Sequence, residues 1–200
     1  MKDRIFGQGH NGRATLVSAL VVLLLTLTSG MQNALPAEQT RARDVKAAYL
    51  RNFVKLVKWP ENSFAGEDAP MVIGVLGVDP FDRALDRAVD GRTAHGRNLQ
   101  VRRLAVVGDE FPSTEQLAGC HLLFVSKSVS DHLALIFERL EGTHVMTVSD
   151  LENFAASGGV AEFVPDGPSI KFKFNTQASD RAGLRPSARL LSLAILEPAR

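Results

Sequence analysis

The chain has 200 residues, 45% of them hydrophobic and 22% charged, with one cysteine and a formal net charge of +1. That length suits one domain with a core of its own and is short for two lobes. The balanced charge offers no electrostatic footprint for nucleic acid or for an anionic membrane surface, and a lone cysteine leaves no internal disulfide.

Lys2, Arg4 and Arg13 precede an apolar run from Ala14 to Thr28, and small residues with a helix stop follow at Ser29-Gly30 and Ala34-Leu35-Pro36-Ala37. This is the order of a secretory signal peptide. Residues 1–37 are therefore expected to be cleaved near Ala34 or Ala37, with an uncleaved anchor as the alternative. Gly7, Gly9 and Gly12 spell the G-x-G-x-x-G of a dinucleotide turn. That motif has mechanical meaning only between a strand and an amphipathic helix, and here an all-apolar run follows, so no nucleotide is assigned to it. Without Lys2, Asp3, Arg4 and Arg13 the remainder, residues 38–200, is close to neutral and is expected to form a single α/β domain.

Asp44 is placed to cap a helix running to about Lys58, with Val45, Tyr49, Phe53 and Leu56 on one face and Pro60 as its stop. Met71 to Gly77 reads as a buried strand, Asp79-Pro80 as a helix start, and Phe81, Ala84, Leu85 and Ala88 as a helical face. The alternation continues with strand Leu99–Val107, helix Ser113–Ala118, strand His121–Ser126, helix Asp131–Leu140, strand Val145–Val148 and helix Asp150–Ala156. Such spacing predicts a mostly parallel sheet flanked by helices on both faces. Val160–Val164, a turn at Pro165-Asp166-Gly167 and Ile170–Asn175 then predict a C-terminal antiparallel hairpin edge, with Ile170, Phe172 and Phe174 inward and Lys171 and Lys173 outward. Two helices are expected to close the chain, Thr176–Leu184 and Pro186–Leu196, the second with Pro186 at its first position.

The candidate chemistry is sparse. Asp79, Asp82, Asp86 and Asp90 interleave with Arg83 and Arg87 at helical spacings, the pattern of a solvated, ion-paired helix face rather than of a metal site. Ser113-Thr-Glu-Gln116 and Ser149-Asp-Leu-Glu152 match the capping box, so these serines are read as caps before nucleophiles. His95, His121, His132 and His144 form no zinc spacing, and no G-x-S-x-G elbow occurs. Cys120 reads as a small buried hydrophobe at a strand entrance. Its neighbour His121 points to the opposite face, so the two make no dyad. No catalytic residue, metal site or cofactor is assigned. The basic residues near the end are more suggestive: Arg181, Arg185 and Arg189 recur every four residues, and Pro186 pushes Arg185 out of the helical region to a corner. A guanidinium there could take an anion bidentately with Asn175 or Lys173 from the neighbouring strand, against the alternative of solvated arginines.

Several segments in order over residues 44–193 resemble the YfiR family. They are the run from Val45 to Trp59-Pro60, Ile73-Gly-Val-Leu-Gly-Val-Asp-Pro-Phe81, Gly91-Arg-Thr-Ala-His-Gly-Arg97, Cys120-His-Leu-Leu-Phe-Val-Ser126, Val148-Ser-Asp150 with Phe154 and Gly158-Gly159, and Asn175 through Ala182-Gly183-Leu184 to Leu190-Leu191. The resemblance implies a periplasmic regulator rather than an enzyme. Such a protein binds the periplasmic sensor domain of a membrane-anchored GGDEF protein, inhibits that diguanylate cyclase, and keeps cyclic di-GMP and biofilm formation low. It further implies that Arg181 and Arg185 stand where relatives bind small anionic or aromatic ligands, and it leaves a homodimer open. Ala155 and Glu162 occupy the region where some relatives carry a cysteine pair, so disulfide switching is not expected here. The alternative reading is a periplasmic small-ligand binding domain, or a cryptic enzyme, with its site at the C-terminal ends of the strands.

Overall fold

The computed structural model describes residues 34–108 and 110–198; the glycine motif and the apolar run lie outside them. Two compact units divide between Arg41 and Ala42. Residues 34–41 of the first are helical, and all other described residues lie in the second.

Helix α1 spans Ala34–Leu56. Asp44 therefore sits inside it, not at its start: the residues from Ala37 to Arg43 include good helix formers and no breaker. Its carboxylate instead accepts from Arg87 at 3.0 Å. The helix stops at Leu56, before Pro60, because Val57–Lys58 turns extended as strand β1.

The main sheet contains β2 (Met71–Leu76), β3 (Thr93–Ala94), β4 (Arg97–Leu104), β5 (Leu122–Val125), β6 (Met146–Ser149), β7 (Ala161–Asp166), β8 (Ser169–Phe174) and β10 (Ile195–Leu196). Their order is β10-β8-β7-β6-β5-β2-β4-β3. β2 pairs in parallel with β4 and β5, β5 with β6, and β6 with β7. The antiparallel hairpin β7–β8 follows. Its loop is Gly167-Pro168, one step beyond the expected turn, since Asp166 still pairs with Ser169. Beyond it, β10 adds in parallel to β8. At the other end β3 and β4 form a hairpin through His95-Gly96, both at positive φ, the backbone of a two-residue primed turn.

Alternation along the strands divides the core between the two faces. Met71, Ile73, Val75, Leu122, Phe124, Met146 and Val148 join Leu50, Phe53 and Val54 of α1 and Leu85 of α2 (Ala84–Val89) on one side. Val72, Leu76, Leu123 and Val125 join Leu117 of α3 (Thr114–Ala118) and Ile136 and Leu140 of α4 (Leu133–Leu140) on the other. On the first face α1 is pinned to the hairpin by aromatic rings. Phe53 meets Phe172 edge-on at 4.9 Å and Phe163 at 5.9 Å, and the Tyr49 hydroxyl donates to the Ile170 carbonyl at 3.0 Å. On the second, Gly74 leaves room for Cys120: a Cβ at residue 74 would lie 2.6 Å from its sulfur. Cys120 is buried and free, as a small hydrophobe, and burial pushes its thiol up to about 11.

The expected helix Asp150–Ala156 is a series of turns. Asn153 takes a positive φ of 62°, and Ser149 ends strand β6, where its hydroxyl donates to the Val125 carbonyl and accepts from Leu151 N–H, so it caps nothing. Ser113, by contrast, makes the full capping box with Gln116. Two of the aspartates after β2 pair with strand β4: Arg103 binds Asp79 at 2.7 Å and Asp86 at 2.6 Å, and that contact holds the Asp86 carboxyl below its usual range. The last helix is shorter than expected. Arg185–Pro186 forms a two-residue strand β9, Ser187 caps α6 (Ala188–Leu193) by accepting from Leu190 N–H, and Ile195–Leu196 returns to the sheet as β10. Pro186 is thus outside the helix, because its partner is Val57 of β1.

Candidate functional site

Asn175 is the N-cap of α5 (Thr176–Arg181): its Oδ1 accepts from Ala178 N–H at 2.9 Å. The amide nitrogen of the same side chain donates to the Ala155 carbonyl at 2.8 Å. Ala155 N–H in turn donates to Glu162 Oε2 at 3.1 Å, and the other oxygen of Glu162 meets Lys173 Nζ at 3.3 Å. The Glu162 side chain is only 2% exposed, so both of its oxygens must find partners inside the protein, and they do. Asn175, Glu162 and Lys173 thus clamp both backbone groups of Ala155 and fix the 150–159 turns to the hairpin.

The arginines are placed apart from that clamp. Arg181 ends α5 and stands on the rim of a cavity of about 640 Å³ with Glu138 and Glu141, over a floor that includes Leu140, Val145 and Ala178. Arg185 is exposed on β9, directly opposite Lys58 of β1, and the strand pair is closed by Ser187 N–H donating to the Leu56 carbonyl at 2.8 Å. Arg189 is exposed on α6. No hydrogen bond or ion pair among the described residues joins any two of Lys173, Asn175, Arg181, Arg185 and Arg189.

Sequence reasoning missed Glu162 and Lys58. A carboxylate within Val160-Ala-Glu-Phe-Val164 was a signal, since a charge in a buried strand needs a partner. Lys58 offered none, because nothing local announces a two-residue strand.

The histidine nearest the core serves structure. His121 Nδ1 accepts from Val72 N–H at 3.1 Å, its carbonyl accepts from Trp59 Nε1 at 3.1 Å, and its ring stacks on Phe64 at 4.5 Å. Arg97 also lies over the Phe64 ring, 3.9 Å from its centre, and donates to the carbonyls of Gly66, Glu67 and Ala69. Burial pushes His121 down to about 4, and Arg97 and Arg102 add to that by repelling a second positive charge.

Residues 43–195, containing every element from the body of α1 to the start of β10, match the YfiR/HmsC-like family. The chain belongs to that family. YfiR-like proteins are regulatory, non-catalytic and periplasmic, and their theme is the control of cyclic di-GMP. No curated protein matches the chain. Among solved structures it is similar to the ABC domain in complex with L-Trp from Streptococcus pneumonia, at 14% identity and a TM-score of 0.50, over 75% of this chain and 59% of that one. It is also similar to a conserved domain protein from Vibrio cholerae O1 biovar El Tor, at 9% identity and a TM-score of 0.45, over 62% of this chain and 54% of that one. The first likeness concerns the fold alone, and the chain spans about 59% of that structure's length.

Proposed function

We propose that residues 1–37 are a signal peptide, that residues 38–200 are released into the periplasm as one domain, and that this domain binds and inhibits the periplasmic sensor domain of an inner-membrane diguanylate cyclase. Cyclic di-GMP stays low while the pair is intact, and biofilm formation with it. The observation that carries this reading is the family match over residues 43–195. The division of labour in the C-terminal third supports it. Side chains that could have made a polar pocket, Asn175 and Lys173, are spent on holding the Ala155 turn, while Arg181, Arg185 and Arg189 stand outward, available to a protein surface.

Crosslinking in intact cells tests the reading. The expected capture is an inner-membrane protein with a GGDEF domain, held by a periplasmic form of the chain that lacks about its first 34 to 37 residues. A full-length cytoplasmic product would contradict it. Periplasmic protein without any membrane partner, together with saturable uptake of a small metabolite, would favour the ligand-binding alternative.

A further inference from the structure

The two-residue ladder between β1 and β9 sets Lys58 directly opposite Arg185. Both side chains are exposed, and among the described residues neither has an ion pair or a side-chain hydrogen bond. Like charges directly opposite each other in an antiparallel ladder are destabilising. A ladder of two residue pairs has little to set against that cost. The same sign continues back along α1. Lys55 is exposed three residues before Lys58, and Arg51 lies one turn earlier on the same helix face, its buried Nε without a partner among the described residues. Elsewhere in the domain Lys46, Arg87, Arg103, Lys171 and Lys173 each face a carboxylate. This path does not.

We propose that Lys58 and Arg185, extended by Lys55, are the docking strip for an acidic patch on the partner protein. The inference rests on the inhibitory reading above and gives that contact an address and a charge. Complementarity selects the occupant. A second copy of the chain meeting the strip about a two-fold axis would bring cations onto cations. A broad anionic membrane surface would also meet the segment that follows β1, where Glu61, Glu67 and Asp68 are exposed. Three cations also fall short of the clusters of roughly four to eight that hold a protein to such a surface. A discrete acidic patch takes the cations and avoids the acids. The backbone beneath is set for the purpose: Pro186 fixes its own φ, and the Ser187 bond to Leu56 locks the corner.

Complementation of a deletion strain tests this, with cyclic di-GMP as the readout and the periplasmic amount and melting temperature of each variant measured alongside. Lys58→Glu with Arg185→Glu is expected to weaken partner binding at least about tenfold and leave cyclic di-GMP at the deletion level, with the fold intact. The swap of Lys58→Arg with Arg185→Lys keeps both charges and is expected to restore repression. Lys58→Glu alone gives Arg185 an opposite charge, so its melting temperature should hold or rise while repression falls, an antagonism that a merely structural pair would not produce. Arg92→Glu, exposed elsewhere on the surface, is the control and should repress normally. Full repression by the double charge reversal, in cells where deletion does raise cyclic di-GMP, overturns the strip and leaves the inhibitory reading standing. No rise on deletion overturns both. Sedimentation of the wild type, but not of the double variant, with phosphatidylglycerol vesicles would assign the strip to a membrane and overturn it as well.

Discussion

From Met71 to Ser149 each parallel strand hands the chain to a helical segment that returns along one face, and β4, β2, β5 and β6 are joined by backbone ladders with apolar side chains on both faces. From Ala161 onward the chain is tied down by contacts between distant residues: Asn175 to Ala155, Glu162 to Lys173, β9 to β1 and β10 to β8. The first region is held redundantly, so a lost side chain leaves a cavity in a sheet that still has its pairing. The second keeps the β7–β8 ladder and the buried rings of Phe163, Phe172 and Phe174, but its adjoining turns and the chain beyond Phe174 are fixed by a few polar contacts and two-residue strands.

The largest effect should come from the redundant region, where volume is what matters. Phe124→Ala removes a fully buried ring that meets Phe81 edge-on at 4.7 Å, and should cost about 3–5 kcal/mol in urea unfolding. A cost under about 1 kcal/mol would mean that the central sheet is not close-packed.

Acid should act on the same region. His121 is pushed down to about 4 in the folded protein, against about 6.5 in an unfolded chain, so the unfolded state takes up the proton first. The contribution is full above pH 6.5 and is lost progressively as pH falls from there toward 4. Denaturation series across that window should show the slope, and His121→Asn should flatten it.

In the second region Glu162→Ala should cost about 2 kcal/mol, because it strands the Ala155 N–H and leaves half-buried Lys173 unpaired. Glu162→Gln keeps an acceptor for that N–H and should cost about half as much. Hydrogen exchange should rise in the 150–159 turns while β2 and β5 stay protected. Uniform loss of protection would erase the contrast between the regions. The smallest effect belongs to Cys120: reductant should leave the melting temperature unchanged, and the native thiol should react with a disulfide reagent only after unfolding. A drop in melting temperature on reduction would reveal an intermolecular disulfide.

The same contrast decides what could be read from the sequence. β2 and β5 are continuous apolar runs, β8 alternates Ile170, Phe172 and Phe174 against Lys171 and Lys173, and Ser113 with Gln116 is a local cap, so each announces itself within a few residues. Ser149 with Glu152 has the same spacing as a capping box and is not one, because its hydroxyl is claimed by Val125 on the next strand. Pro186 looks like a helix start until Val57, far back in the chain, takes it into a ladder. For the candidate site, the sequence put Arg185 at a corner outside the helix, where it stands. It joined the arginine with Asn175 or Lys173 of the neighbouring strand, whereas the residue opposite is Lys58, and no spacing rule relates positions so far apart.

Restraint of a cyclase by this domain, as proposed, is read out by cyclic di-GMP in whole cells. Deleting the gene should raise cyclic di-GMP and surface attachment, and deleting the captured GGDEF partner as well should return both to the level of the partner deletion alone. Unchanged cyclic di-GMP in the single deletion, with the cyclase demonstrably expressed, would contradict the claim.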